Sequence, residues 1–149
     1  MKRTLLAGTV LCLTACSAST PVLESAALQG RLAPVPTNIP KGQCALVLTA
    51  RSDSAEPIFF QVLGRREAFI ALDRKQHRLT LRQANHKLEN GVWLKQDLLG
   101  HRLSVGVTLR KTGGTEAGQS YRGVLTLTKP KGWSNAIAIE GKTECRSRN

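Results

Sequence analysis

From Gln43 onward, apolar and polar residues alternate with a period of two. Cys44, Leu46, Leu48 and Ala50 fall on one face of an extended segment, with Ala45, Val47 and Thr49 opposite. Ile58–Leu63 follows Pro57 as a second short run, and Ala68–Leu72 is a third. His77–Arg82 and Arg102–Arg110 alternate cleanly, and Tyr121–Thr128 and Asn135–Thr143 complete the set. Val92-Trp93-Leu94 reads as a further short strand, or as the start of a short helix to Leu99. Side chains on a strand point to opposite faces in turn, so each run can bury one face and wet the other. Turn residues separate most of them: Gly64-Arg65-Arg66, Asp73-Arg74-Lys75, Glu89-Asn90-Gly91, Lys111 to Gly118, and Pro130-Lys131-Gly132. No long segment has the 3.6-residue period of a helix. The pattern predicts an all-β fold: a small antiparallel sandwich or barrel of seven or eight short strands.

Before Gln43 the character changes. Residues 17–42 are rich in Ser, Ala, Thr and Pro, with Pro21, Pro34, Pro36 and Pro40 spaced through them. Proline removes amide donors and favours extended chain, so 16–42 reads as a tether. Ahead of it stand Lys2 and Arg3, then an apolar stretch from Leu5 to Leu13, too short to span a bilayer as a helix. The stretch closes on Leu13-Thr14-Ala15-Cys16. These residues resemble the signal peptide and lipobox of bacterial lipoproteins. The resemblance covers only the first sixteen residues. It implies cleavage after Ala15, a diacylglycerol on the sulfur of Cys16, and a membrane partner held through that lipid anchor. Position 17 is Ser, whereas Asp there retains enterobacterial lipoproteins at the inner membrane. The implied location is the outer membrane, facing the periplasm. The expected organisation is a signal peptide at 1–15, a lipidated tether at 16–42, a β domain at 43–146 and a tail at 147–149.

Removing 1–15 takes Cys12 with the leader and two of the 22 basic residues, but none of the ten acidic ones, so the remainder carries +10. With Cys16 lipidated, Cys44 and Cys145 are left in an oxidising compartment, and one pair has one connectivity. One opens the first strand run and the other ends the last, so a disulfide between them is expected to staple the domain. A Cys-x-x-Cys redox or metal motif is missing from the sequence.

The chain carries no Gly-x-Ser-x-Gly, no His-Glu-x-x-His and no glycine loop leading into a helix. An enzyme is disfavoured and no cofactor is called for. His77, His86 and His101 have spacings that fit no zinc pattern and read as exposed turn residues. The strongest site candidates are cations. Alternation sets Arg78, Arg82, Arg102, Arg110 and Arg122 opposite core-type residues, hence outward. Neighbouring strands would unite them into a plate that attracts anionic lipid, lipopolysaccharide or polysaccharide. Charge that merely solvates a sheet face produces the same pattern. The scarcity of aromatics, with Phe59, Phe60 and Phe69 suited to the core, counts against nucleic acid. Trp93 and Trp133 stand beside turn glycines, placed to plug an end of the domain or to line a pocket mouth. The function expected is non-catalytic: binding an anionic envelope component, or acting as an accessory subunit of an envelope protein complex. The alternative is a lipocalin-like carrier of a small apolar ligand, which needs an unfilled interior.

Overall fold

The computed structural model describes residues 25–52, 55–84, 88–115 and 118–148. In chain order they form a short helix α1 (Ser25–Gln29) and strands β1 (Leu32–Ala33), β2 (Cys44–Ala50), β3 (Pro57–Val62), β4 (Glu67–Leu72), β5 (Lys75–Ala84), β6 (Leu88–Glu89), β7 (Val92–Trp93), β8 (Lys95–Gly100), β9 (Leu103–Thr115), β10 (Gly118–Thr128) and β11 (Ser134–Cys145). The fold is all-β, and the choice between sandwich and barrel resolves to barrel. Strands β2, β3, β4, β5, β8, β9, β10 and β11 each pair antiparallel with the next, and β11 pairs back onto β2. Closure leaves this ring without free edges. β6 and β7 form a separate small hairpin beside it.

The alternation in the sequence decides which side chains fill the barrel. Leu46, Leu48, Phe59, Ile70, Leu79, Leu98, Val105, Val107, Leu125, Ile137 and Ile139 belong to one fully packed interior cluster. On β2, β3 and β4 the outer face is buried as well, in a second cluster of Ala45, Val47, Phe60, Val62 and Ala71. Val35 covers that cluster, with Ala33 and Ile39 packed against it.

That covering corrects the expected tether. Within residues 16–42, those from 25 onward belong to the domain. Leu28 of α1 is fully buried in the barrel core, and Val35 is buried on the outer cluster. β1 pairs with the end of β4, and the Val35 amide donates to the Pro57 carbonyl at 2.8 Å. The prolines do favour extended chain, but an extended chain also suits a strap lying over a sheet. Residues 1–24, including Cys16, lie outside the described residues.

Cys44 and Cys145 face each other on the closing pair, with Cα atoms 4.0 Å apart, and are joined by a disulfide. The bond locks the first barrel strand to the last. It marks one rim, the disulfide end; α1 marks the other, the helix end. The segment 111–118, expected as a turn, is mostly strand: β9 and β10 run on to Thr115 and from Gly118, with a register shift at Ser120/Tyr121.

Candidate functional site

The five candidate arginines are all exposed, but they do not form one plate. Arg78 lies outward on β5 and donates to Glu67 on β4, which neutralises it. Arg102 was expected on the face of a strand. It sits instead in the β8–β9 turn at the helix end, with a left-handed φ of 53°, because β9 begins at Leu103. Arg110 and Arg122 are direct cross-strand partners on β9 and β10. Arg82 projects from β5 at an irregularity in its pairing with β8.

A different grouping emerges towards the disulfide end. Lys95 on β8 pairs with Thr108, two residues before Arg110, so Lys95 and Arg110 are diagonal neighbours. Arg82, Lys95, Arg110 and Arg122 thus cross four adjacent strands, with Asp97 on the same outer face of β8 two residues from Lys95. Among the described residues, Arg82, Lys95, Arg110 and Lys111 form no ion pair. Arg122 alone reaches a carboxylate, Glu140 at 3.6 Å, and Glu140 also faces Arg51 at 4.0 Å. Like charges directly opposite on a sheet are unfavourable. Their presence here leaves a band with an excess of positive charge, only partly offset by Glu140 and Asp97, that an anion would relieve. Sequence reasoning missed Lys95, although its alternation with the buried Gln96 and Leu98 places it outward.

Not every basic stretch is of this kind. The groove over β10, β11 and β2 holds Arg122 and Lys142 together with Glu140 and Glu144. Lys142 lies 3.2 Å from Glu144. Positive and negative charge balance there.

Inside the barrel, the disulfide end is more polar than the middle. Gln61, Gln96, Tyr121 and Thr143 are all buried within a few residues of that rim. Gln61 and Gln96 donate to the carbonyls of Arg65 and Trp93. The Tyr121 hydroxyl and the Gln96 Oε1 have no hydrogen-bond partner among the described residues. Burial pushes the Tyr121 hydroxyl pKa up, and the nearby Glu89 charge adds to this. Gly141 stands directly across from Tyr121, and a Cβ there would come 2.1 Å from the Val47 carbonyl oxygen. Close backbone approach therefore requires glycine at 141.

The helix end is closed by a charged clasp. Arg31 donates to both carboxylate oxygens of Asp73, at 2.7 and 2.5 Å, and Lys129 stands 3.6 Å away. The Arg31 guanidinium also lies 4.9 Å above the Trp133 ring, which packs against the barrel core. Hydrogen bonding from Arg31 holds the Asp73 carboxyl below its ordinary range and raises Arg31 in return. Trp133 thus plugs an end, one of the two roles its turn position suggested. Of the histidines, His77 is partly exposed on β5, His101 is exposed in a turn, and His86 lies outside the described residues.

Comparison with family models, with curated proteins and with solved structures finds no match to this chain.

Proposed function

We propose that this chain is an outer-membrane lipoprotein, anchored through Cys16, whose barrel binds an anionic envelope component without catalysis. The observation that carries the binding is Arg110 directly opposite Arg122, flanked by Lys95 and Arg82, a band whose four cations outnumber the neighbouring carboxylates Asp97 and Glu140. A surface selected only for solubility would intersperse the two signs. The anchoring half of the reading rests on Leu13-Thr14-Ala15-Cys16. The segment from Cys16 to α1 is nine residues, which reaches about 30 Å at full extension. The described chain begins at α1, at the end opposite the basic band.

The test is cosedimentation of the complete chain with phosphatidylglycerol vesicles and with an acidic polysaccharide. Binding is expected to weaken steeply with salt, because exposed charges act over roughly 8–10 Å at physiological ionic strength. Lys95→Glu with Arg110→Glu should abolish it. Arg122 is left in place, since a carboxylate there would face Glu140. Wild-type binding by the double variant at low salt would refute the band. Full retention of Cys16→Ser in the outer membrane would refute the anchor.

The closed eight-stranded ring also suits a carrier, and the unpartnered Tyr121 and Gln96 atoms offer polar contacts inside. Large aliphatic side chains already occupy the interior, however, and this ranks the carrier second. Displacement of a fluorescent fatty acid from the barrel would reverse the order.

A further inference from the structure

The turn between β3 and β4 carries Gly64, Arg65 and Arg66 and sits at the disulfide end. Gly64 has φ 76°, a conformation that glycine adopts without strain. The Arg65 amide donates to the Val62 carbonyl at 3.1 Å, and Gln61 Nε2 donates to the Arg65 carbonyl at 3.3 Å. Arg66 is clamped on β5: its carbonyl accepts from the Leu81 amide at 2.7 Å, and its Nη2 donates to the Leu81 carbonyl at 2.8 Å. One residue further on, β5 slips register against β8 between Leu81 and Gln83, leaving Arg82 as the extra residue. Such bulges re-aim a side chain and concentrate beside functional sites.

The result is a cleft of about 440 Å³ whose lining includes Arg65, Arg66, Arg82, Leu81, Ala84 and Trp93. Three arginines line it, and no carboxylate does among the described residues. None of the three arginines pairs with a described acidic residue. The groove over β10, β11 and β2 differs in that two glutamates balance its cations.

A guanidinium presents its donors as a rigid fork that matches carboxylate or phosphate oxygens in pairs. Three forks around one cleft suit a group with three terminal oxygens and two negative charges better than a carboxylate. Half-buried Trp93, with Leu81 and Ala84, supplies a flat apolar wall for a carbon ring. We infer that this cleft binds a phosphate monoester carried on a sugar ring. The inference rests on the anion-binding reading above and narrows it to one subsite and one chemistry.

The test uses the complete chain carrying Trp133→Phe, so that Trp93 is the remaining indole. Glucose 1-phosphate should change its emission saturably, inorganic phosphate should bind more weakly, and glucose should do nothing. Arg82→Lys keeps the charge but loses the fork, and should weaken binding more than tenfold. Arg82→Gln should abolish it with an unchanged melting temperature. If Trp133→Phe lowers stability, calorimetric titration of the unsubstituted chain gives the same readout. Absence of saturation, or equal binding by Arg82→Lys and the parent chain, overturns the subsite. Vesicle binding that survives Arg82→Gln but is lost in the Lys95→Glu, Arg110→Glu variant, with no sugar-phosphate response, overturns the subsite and leaves the broader reading intact. Absence of both vesicle binding and a sugar-phosphate response in the parent chain overturns both. Tighter binding to vesicles bearing a phosphorylated glycolipid than to the free sugar phosphate would assign the source as lipid-borne; the reverse would assign it to a soluble or polymer-borne sugar.

Discussion

The two ends of the barrel are built differently. At the helix end, Leu28 drops into the core, Arg31 grips Asp73, Lys129 stands beside the same carboxylate, and Trp133 lies under the Arg31 guanidinium. The Asp73 charge there is matched and the opening is plugged, although Arg74, Lys75, Arg102 and Lys131 in the turns of the same end form no ion pair among the described residues. At the disulfide end, a covalent bond rather than a plug holds the seam. Among the described residues, three buried polar atoms lack partners beneath that rim, and Arg65, Arg66, Arg82, Lys95 and Arg110 stand around it without an ion pair. Complete pairing is what stability asks of a protein end. Unmet pairing of buried polar atoms is unfavourable, and among the described residues it is concentrated at the disulfide end.

The largest effect expected from breaking this contrast is at the seam. The disulfide links residues 101 apart in sequence, across the pair that closes the ring. Changing Cys44 and Cys145 together to Ala should lower unfolding free energy by about 2–5 kcal/mol, since a link across a long loop strongly restricts the unfolded chain. Urea denaturation measures it. A loss below about 1 kcal/mol would mean that the strand pairing alone secures that rim.

The helix end should respond next. Leu28→Ala removes a fully buried side chain from the core. A loss of about 2–5 kcal/mol is expected, depending on how far the site collapses. A surface-like change of about 0.5 kcal/mol or less would show that α1 is an ornament on the barrel rather than its plug.

Such dependence on residue 28 is what the sequence concealed. The alternation of Leu46, Leu48, Leu79, Leu81, Leu103, Val105 and Val107 made the barrel strands legible, because a two-residue period admits one buried face. The disulfide was legible for a similar reason: only Cys44 and Cys145 lie within the alternating strand runs, one at each end of them. The strap was not. Leu28 and Val35 lie in a stretch too short and too rich in proline to show any period, and the buried strand residues they cluster with lie ten or more residues away. The arginines were half legible. Alternation correctly turned Arg110 and Arg122 outward, but it carries no information about which strands adjoin. Hence Arg78, neutralised by Glu67, and Arg102, in a turn at the other end, were grouped with them. The Arg65–Arg66–Arg82 cleft depends on a bulge, which no periodicity reports.

Acid should loosen the helix end before the disulfide end. Arg31 holds the Asp73 pKa below its unfolded value near 3.9, with Lys129 contributing less. A carboxyl with a lowered folded pKa adds stability above its unfolded pKa, and that stability fades as pH falls through the folded value. The pair is partly exposed, so the whole contribution is about 1 kcal/mol or less. Hydrogen exchange at Arg31 and Val35 should quicken below pH 4, ahead of exchange at Leu46 or Ile139. Asp73→Asn should remove that pH dependence. If exchange at Val35 keeps its acid response in this variant, the clasp does not govern the strap.

The smallest expected effect has an unusual sign. Arg110→Glu sets a carboxylate directly across from Arg122 and replaces a like-charge pair by an opposite one. Cross-strand pairs of opposite charge contribute roughly 0.2–1 kcal/mol, and directly opposed like charges are unfavourable by similar amounts. Both changes favour the folded state, so Arg110→Glu should raise the melting temperature by a few degrees at low salt. The gain should shrink as salt screens the band. Binding to anionic vesicles should fall at the same time, because one of the unpaired cations becomes an anion. Stability and binding would then move in opposite directions at a single exposed position. Paired measurements of melting temperature and vesicle affinity, at low and at physiological salt, decide the matter. A variant that is more stable yet binds as the parent does would show that the band only solvates the sheet. A variant less stable than its parent would show that Arg110 is already compensated, and the contrast between the two ends would lose its strongest element.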